Sequence, residues 1–316
     1  MATKDVIALK QTRVTGSGNF STYMRRHWGL YAMLVLPLAF FFVFSYWPMV
    51  NILIAFMTNN IFTPITQAPW ERWVGLDNFR WLFNNVQFIQ AIRNTVMFSI
   101  LDLVIGFPVP IILALLLNEI KFKRFKRVTQ TITYMPFFLS WIIIGGIAIR
   151  LLRTETGAVN IMMGTSIPFL TDNTHWVFTN VFTNIWRGLG WNTIIYLAAI
   201  TAVNPELYEA ADLDGASRLR KMWHVTLPGI RPVIMTLLIL TLGGIMGADM
   251  ARFLAMENRL VSEVSIVFPI FVLRWGIEGL QYHRAAAAGL VASVLNLIFL
   301  FIANFISRKA TGSGLW

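Results

Sequence analysis

Cysteine is absent from the 316 residues, which excludes disulfide bridges and thiolate metal sites. The four histidines, His27, His175, His224 and His283, lie far apart with no ligand spacing, so no metal centre is expected. Charge is scarce at 13% of residues, where a soluble domain carries about a quarter. Acids are scarcer still, 15 against 26 Lys and Arg. No GxxxxGK[ST] phosphate loop occurs, so a nucleotide-hydrolysing site of that kind is excluded. What remains is apolar: 56% hydrophobic residues and a mean hydropathy of +0.63. That balance indicates a membrane protein. The net charge of +11 then sets membrane orientation and does not point to a nucleic-acid partner.

Hydropathy marks six spans of roughly bilayer length, at about 30–57, 93–117, 129–151, 177–201, 232–251 and 285–306. The fold class is therefore an all-α membrane protein with six transmembrane helices. Residues 1–28 form a tail, 29–309 the transmembrane domain and 310–316 a flexible end. Pro108 and Pro110 predict a kink in the second span, and Gly243 and Gly247 predict close helix packing in the fifth. All seven lysines fall on one side of this arrangement, with almost all of the net charge. That side, holding both termini and the "KFKRFKR" run, is expected to be cytoplasmic.

The same side holds "YEAADLDGASRLRKMWHVTLPGIRP", the core of a loop over 202–231. Asn204, Pro205 and Glu206 make a helix start, with a capping amide, a proline in the first turn and an acid at the positive dipole end. Gly215 is a natural stop. Ser217 caps a second short helix whose apolar side carries Leu219, Met222 and Trp223; Pro228 ends it, and Pro232 opens the fifth span. Ala210, Ala211 and Ala216 leave little bulk at the corner, ringed by Glu209, Asp212, Asp214, Arg218 and Arg220. Such a knob suits a groove on a soluble partner. A helix lying on headgroups would explain Trp223 and the cations, but not the acids.

The stretch resembles the EAA loop of permease subunits of bacterial ABC importers: EAA, two residues, DGA, an aromatic-rich turn, then LP. Glu209, Ala210, Ala211, Asp214, Gly215, Ala216, Leu227 and Pro228 match, while Met222 stands where Phe is common. The likeness extends over nearly the whole chain, through "YAMLVLPLAFFFVFSYWPM", "GLDNF", "RNTVMFSILDLVIGFPVPIILALLLNEI" and "TITYMPFFLSWIIIGGI". It is strongest to permeases for polysaccharide fragments, alginate and pectin oligomers among them, and narrowest to the first permease subunit of alginate importers. The resemblance implies the type I ABC importer permease fold in the bacterial inner membrane. It implies a second, distinct permease subunit, two ATP-hydrolysing subunits and an extracytoplasmic binding protein that delivers an oligosaccharide. It implies that this chain hydrolyses nothing and binds no cofactor, ATP and magnesium belonging to the partners. Coupling would run through Glu209, Ala210, Ala211, Asp214, Gly215, Ala216, Arg218, Trp223, Leu227 and Pro228.

Ionisable residues inside spans are expensive and usually face a cavity or one another. Asp102, Arg187 and Asp249, with Arg150 near a span end, stand out here. For the substrate path the expected residues are Asn184, Trp186, Arg187, Trp191, Asn192 and Tyr196 in span four, and Met246, Asp249 and Arg252 around span five. Aromatic rings stack on sugar faces, and Asn and Arg bond hydroxyls or carboxylates. An interfacial belt or helix packing is the plainer reading of Trp186 and Trp191, and Arg187 can equally pair with an acid of the other subunit. The segment 252–284 reads as an external loop for the binding protein and partner permease, or simply as a solvated loop. In 58–92, Trp70, Trp73, Trp81 and Phe88 suggest a short interfacial helix. Two rival classes fall short: a secondary transporter leaves the knob without a purpose, and an intramembrane hydrolase lacks its dyad. Other sugars or sugar phosphates remain alternative cargoes.

Overall fold

The computed structural model describes residues 20–58 and 69–311. Lys4, Lys10 and the last five residues lie outside the described residues. The chain divides into two units, Met1–Ile52 and Leu53–Trp316. In the first, α1 (Phe20–Phe41) begins inside what the sequence suggests is a tail. It passes into a π turn at Phe42–Tyr46 and a 3-10 stretch beginning at Trp47.

In the second unit, α2 (Asp77–Asn84) leads into α3 (Val86–Leu101), a π turn at Asp102–Gly106 and α4 (Pro108–Glu119). Then come α5 (Lys123–Tyr134), α6 (Trp141–Leu152), α7 (Ala158–Met163), the long α8 (Asn173–Thr201) and α9 (Pro205–Leu213). After the corner, α10 (Arg218–Lys221) continues through a π turn at Met222–Thr226 into α11 (Leu227–Gly243). Three short pieces follow, α12 (Met250–Leu254), α13 (Ser262–Ser265) and α14 (Phe268–Phe271), before the closing α15 (Tyr282–Thr311). Among the described residues there is no strand, only an isolated bridge between Met57 and Trp73.

Three of the π turns stand immediately before an X-Pro pair. They precede Trp47-Pro48, Phe107-Pro108 and Leu227-Pro228, and each X residue donates its N–H five positions back, to Phe42, Asp102 and Met222. A proline ring clashes with the carbonyl four residues earlier and offers no N–H to it. Widening the preceding turn moves that carbonyl aside, so the helix passes the proline without stopping. The same device corrects the loop reading. Arg218–Gly243 is one continuous helix of 26 residues with Pro228 and Pro232 inside it. A second short helix ending at Pro228 does not form.

Among the described residues, four helices are long and apolar enough to cross a bilayer, and six if each of two bent pairs counts as one span. The expected third span is such a pair: Lys123–Phe138 and Trp141–Leu152 meet at 103°. The second pair, Arg259–Ser265 and Phe268–Glu278 at 114°, falls in 252–284, where the sequence suggests a loop. Val267, Ile270 and Phe271 there are fully buried. The fourth expected span is α8, whose 29 residues are broken up by Asn, Thr and Gly, and it is not among the apolar set. Asp172 caps its start, and hydrogen bonds from the His175 backbone and ring hold that carboxyl below its ordinary value. The fifth stops at Gly243, so Gly247 lies in a turn beyond the helix. Gly243 and Gly247 therefore do not share one helical face.

Broken helices at membrane depth need partners for their freed backbone groups. Here they come from side chains on α3, α8 and α15. The Asn94 amide donates to the carbonyls of Glu263 (2.8 Å) and Ile266 (2.9 Å), and Thr95 Oγ1 accepts from Phe268 N at 2.7 Å. Past α11, Ser99 donates to the Ile245 carbonyl and Asn296 accepts from Met246 N. The Trp176 indole donates to Met256 O at 2.9 Å. Around these bonds packs the larger core, with Phe88, Phe98, Trp176, Phe253 and Phe271 fully buried. Phe88 is thus core, not interface. Trp73 is exposed and stacks on Phe56 at 5.6 Å. A second, smaller core of Ala114, Tyr196, Ile200, Val203 and Ile230 lies at the α9 end. Small residues allow the closest approaches, as usual where no hydrophobic effect drives helices together and close packing must do so. A Cβ on Gly190 would strike the Thr133 carbonyl and the Tyr134 ring, so α5 crosses α8 there.

Candidate coupling corner and translocation cavity

The corner after α9 is built as its residues dictate. Asn204 Oδ1 accepts from Glu206 N at 3.0 Å, opening the helix. At the other end Gly215 takes φ +70°. Gly215 N donates to Asp212 O (3.1 Å) and Ala216 N to Ala211 O (2.9 Å), the paired bonds of a Schellman ending. Ser217 then caps α10 through Arg220 N. Lys221 Nζ meets Asp212 Oδ1 at 2.6 Å across the corner, and His224 Nδ1 lies 3.0 Å from Arg220 O. Tyr208 and the buried Thr226 share a hydroxyl bond of 2.9 Å that ties α9 to the start of α11.

None of α9 is buried, and Leu213 is 91% exposed. A groove of about 520 Å³ runs along the corner, lined by Ala210, Ala211, Asp214 and Ala216 on one wall and Arg220, Lys221 and His224 on the other. Of the coupling residues expected from sequence, those four line the groove with Gly215 at its bend. Glu209 and Arg218 stand on the exposed surface beside it. Trp223 and Leu227 turn instead to an apolar hollow against Pro108, Ile111 and Leu115 of α4. Pro228 sits in the first turn of α11.

Two adjoining cavities of about 250 and 190 Å³ lie between α3, α4, α8 and α11, sharing Asp102, Asn184 and Thr241. Asn192 and Tyr196 line the first, and Asp249 and Arg252 the second. Met246 is in the packed core and lines neither. Arg252 is 3% exposed and fully engaged. Its Nη1 and Nη2 reach the Asp102 carboxylate at 2.5 and 3.4 Å, its Nε meets Asn180 Oδ1 at 2.6 Å, and it lies over Phe98 and Phe253. Arg252, expected on the substrate path, thus lines the second cavity as one half of a buried ion pair with Asp102. Asp249 is likewise committed, accepting from the Trp141 indole at 2.5 Å and capping α12 through Ala251 N.

Arg187 behaves differently. Its guanidinium lies 4.9 Å from the Trp141 ring and 5.2 Å from Phe137, and donates only to the Leu139 carbonyl, at the break between α5 and α6. No acid of the described residues pairs with it. Trp191 stacks flat on Phe137 at 4.6 Å and 4°, and is 45% exposed; Trp186 is 39% exposed. Arg187 and Trp191 thus lie on an aromatic face around the bend, and these two and Trp186 line neither cavity. Thr241, Ser99 and Asn180 escape sequence reading, because a lone hydroxyl or amide in an apolar run carries no sign of its partner.

A helical bundle with broken spans, a polar cavity inside it and an exposed corner outside it defines the class, a multi-span membrane permease. The chain belongs to the family of binding-protein-dependent transport system inner membrane components, whose pattern matches residues 106–312. It is 39% identical to protein LplB of Bacillus subtilis, over 93% of this chain and 92% of that one. It is also 39% identical to the polygalacturonan/rhamnogalacturonan transport system permease protein YteP of the same species, over 91% and 90%. Among solved structures it resembles a bacterial ABC transporter involved in the import of the acidic polysaccharide alginate. There the TM-score is 0.83 at 37% identity, covering 92% of this chain and 99% of that chain. A bacterial alginate ABC transporter in complex with alginate pentasaccharide-bound periplasmic protein gives 0.85 at 36%, over 94% and 99%.

Proposed function

We propose that this chain is one of two permease subunits of an ATP-driven importer for acidic oligosaccharides. The observation that carries the reading is the corner itself. Ala210, Ala211, Asp214 and Ala216 wall an open groove around a left-handed glycine, and none of the described residues fills it. A small-residue corner with exposed apolar tips at Leu207 and Leu213 fits a cleft on a soluble ATPase subunit. ATP and magnesium are held there, and this chain performs no hydrolysis. The corner and both termini face the cytoplasm, as the lysine distribution requires. A binding protein delivers cargo from the opposite face, towards the cavities that Asn184, Asn192 and Thr241 line.

The acidic cargo is supported by the relatives, which include carriers named for polygalacturonan and alginate, and by Arg187, a cation with no acid partner among the described residues. The test is reconstitution with candidate ATPase, second permease and binding protein in proteoliposomes. Uptake of oligouronides should require internal ATP and the binding protein. Uptake driven by an ion gradient without the ATPase subunits would instead make the chain a secondary transporter.

A further inference from the structure

Neither the corner nor the cavities use the start of α5. From Lys121 to Arg127 the sequence is KFKRFKR, and no acid follows before residue 151. None of these five cations is in an ion pair among the described residues. Interleaved with them, Phe122 is 79% exposed and Phe125 61%. Val128 and Ile132 continue that stripe along one side of the helix, both exposed. Lys123, Lys126 and Arg127 point away from it at 3.6 residues per turn. At its far end α5 meets α8, where Thr133 and Tyr134 press on Gly190. The helix does not continue the direction of α6, being turned 103° from it. It follows α4, whose Ile111 and Leu115 pack at the α9 end, so its basic start lies at that same end of the bundle.

We propose that the Lys121–Val128 end of α5 is a binding site for anionic phospholipid in the leaflet on the α9 side. The apolar stripe enters the acyl boundary while the five cations reach the headgroup phosphates, the arrangement of an interfacial helix. Charge complementarity selects the occupant. An acid-free run of cations beside exposed phenylalanines matches an acidic headgroup layer, while a neutral lipid gives the cations nothing to neutralise. The inference rests on the chain's being a membrane protein and does not depend on what it transports.

The test places a bimane probe at Phe125→Cys, in a chain with no other cysteine. The full chain is assembled with its partner subunits in nanodiscs, containing either brominated phosphatidylglycerol or brominated phosphatidylcholine at equal fraction. Quenching by the acidic lipid should exceed that by the neutral one by about twofold or more, and should equalise in Lys123→Gln/Arg124→Gln/Lys126→Gln/Arg127→Gln. Equal quenching in the unaltered sequence would overturn the site. So would absence of quenching by either lipid, which would mean that a partner protein covers this face.

Discussion

At the scale of single residues, Arg252 and Asp102 form the most consequential pair. The arginine side chain is 4% exposed and the aspartate 26%, so neither charge is well hydrated. Removing one partner strands the other, which typically costs about 3–5 kcal/mol, whereas replacing both with apolar groups is often neutral. Asp102→Leu should therefore sharply lower the yield and melting temperature of purified protein, and Asp102→Leu/Arg252→Met should recover most of the loss. A double variant as unstable as the single would mean that the two charges are not coupled. Gly215 makes a different case. A Cβ there meets nothing within 4 Å, so the only penalty is its φ of +70°. Gly215→Val should cost ~1–2 kcal/mol of backbone strain at the corner. It should lower binding-protein-stimulated ATP hydrolysis and drop the melting temperature by only a few degrees, with Gly215→Asn much milder. For Arg187→Gln the expectation is slower uptake of acidic oligomers with basal ATP hydrolysis intact. Collapse of the assembled complex would assign the arginine to an ion pair with the second permease.

At the scale of elements, the sequence shows what local rules can show. Long apolar runs mark α1, α3 with α4, α11 and α15, and Asn204, Gly215 and Ser217 mark both sides of the corner where the structure has them. Proline misleads at Pro228, where it reads as a helix end but a π turn lets the helix pass, and at Pro232, which reads as a helix start but lies inside the continuous helix. The broken pairs are invisible for a different reason. Their short helices are stabilised by residues far away in sequence: Asn94 bonds the chain about 170 positions later, and periodicity carries no record of that. Asn94 therefore gives the sharpest test of an element. Its amide is the donor for two carbonyls at the break between α13 and α14. Leaving a buried acceptor unpaired costs ~1–3 kcal/mol. Asn94→Leu should lower the melting temperature in detergent and raise amide exchange across residues 262–271 specifically. Unchanged exchange there would show that the break is held by packing alone. Of the candidate site, the small residues Ala210, Ala211, Asp214, Gly215 and Ala216 lie at the corner as read, Trp223 and Leu227 turn to the hollow against α4, and the cavity was only half legible. Asn184, Asn192 and Tyr196 line it, but Arg187 and Trp191 turn to the aromatic face and Trp186 lines neither cavity, since a helix of this composition has two polar sides and sequence does not say which is wet.

For the whole molecule the question is which end faces which compartment. Two surfaces stand at opposite ends of the long α8. Its C-terminal end leads to the corner with Ser217, and its N-terminal end lies near Trp176, Met256 and Asn258. The start of α5, with Phe125, belongs to the corner end. From the lysine bias that end is expected in the cytoplasm, and the absence of cysteine makes the expectation directly testable. Single cysteines replace Ser217, Phe125 and Leu260, the last 70% exposed beside the external groove that Glu257 and Arg259 line. In intact spheroplasts a membrane-impermeant maleimide should label Leu260→Cys and spare the other two, and permeabilised cells should label Ser217→Cys as well. Co-expression of the ATPase subunits should then reduce labelling at Ser217 in the permeabilised cells, because the corner would be covered. Labelling of Phe125→Cys should stay low with or without those subunits, since its proposed neighbour is lipid. External labelling at Ser217 would reverse the orientation, and with it the route by which ATP hydrolysis could reach the cavity.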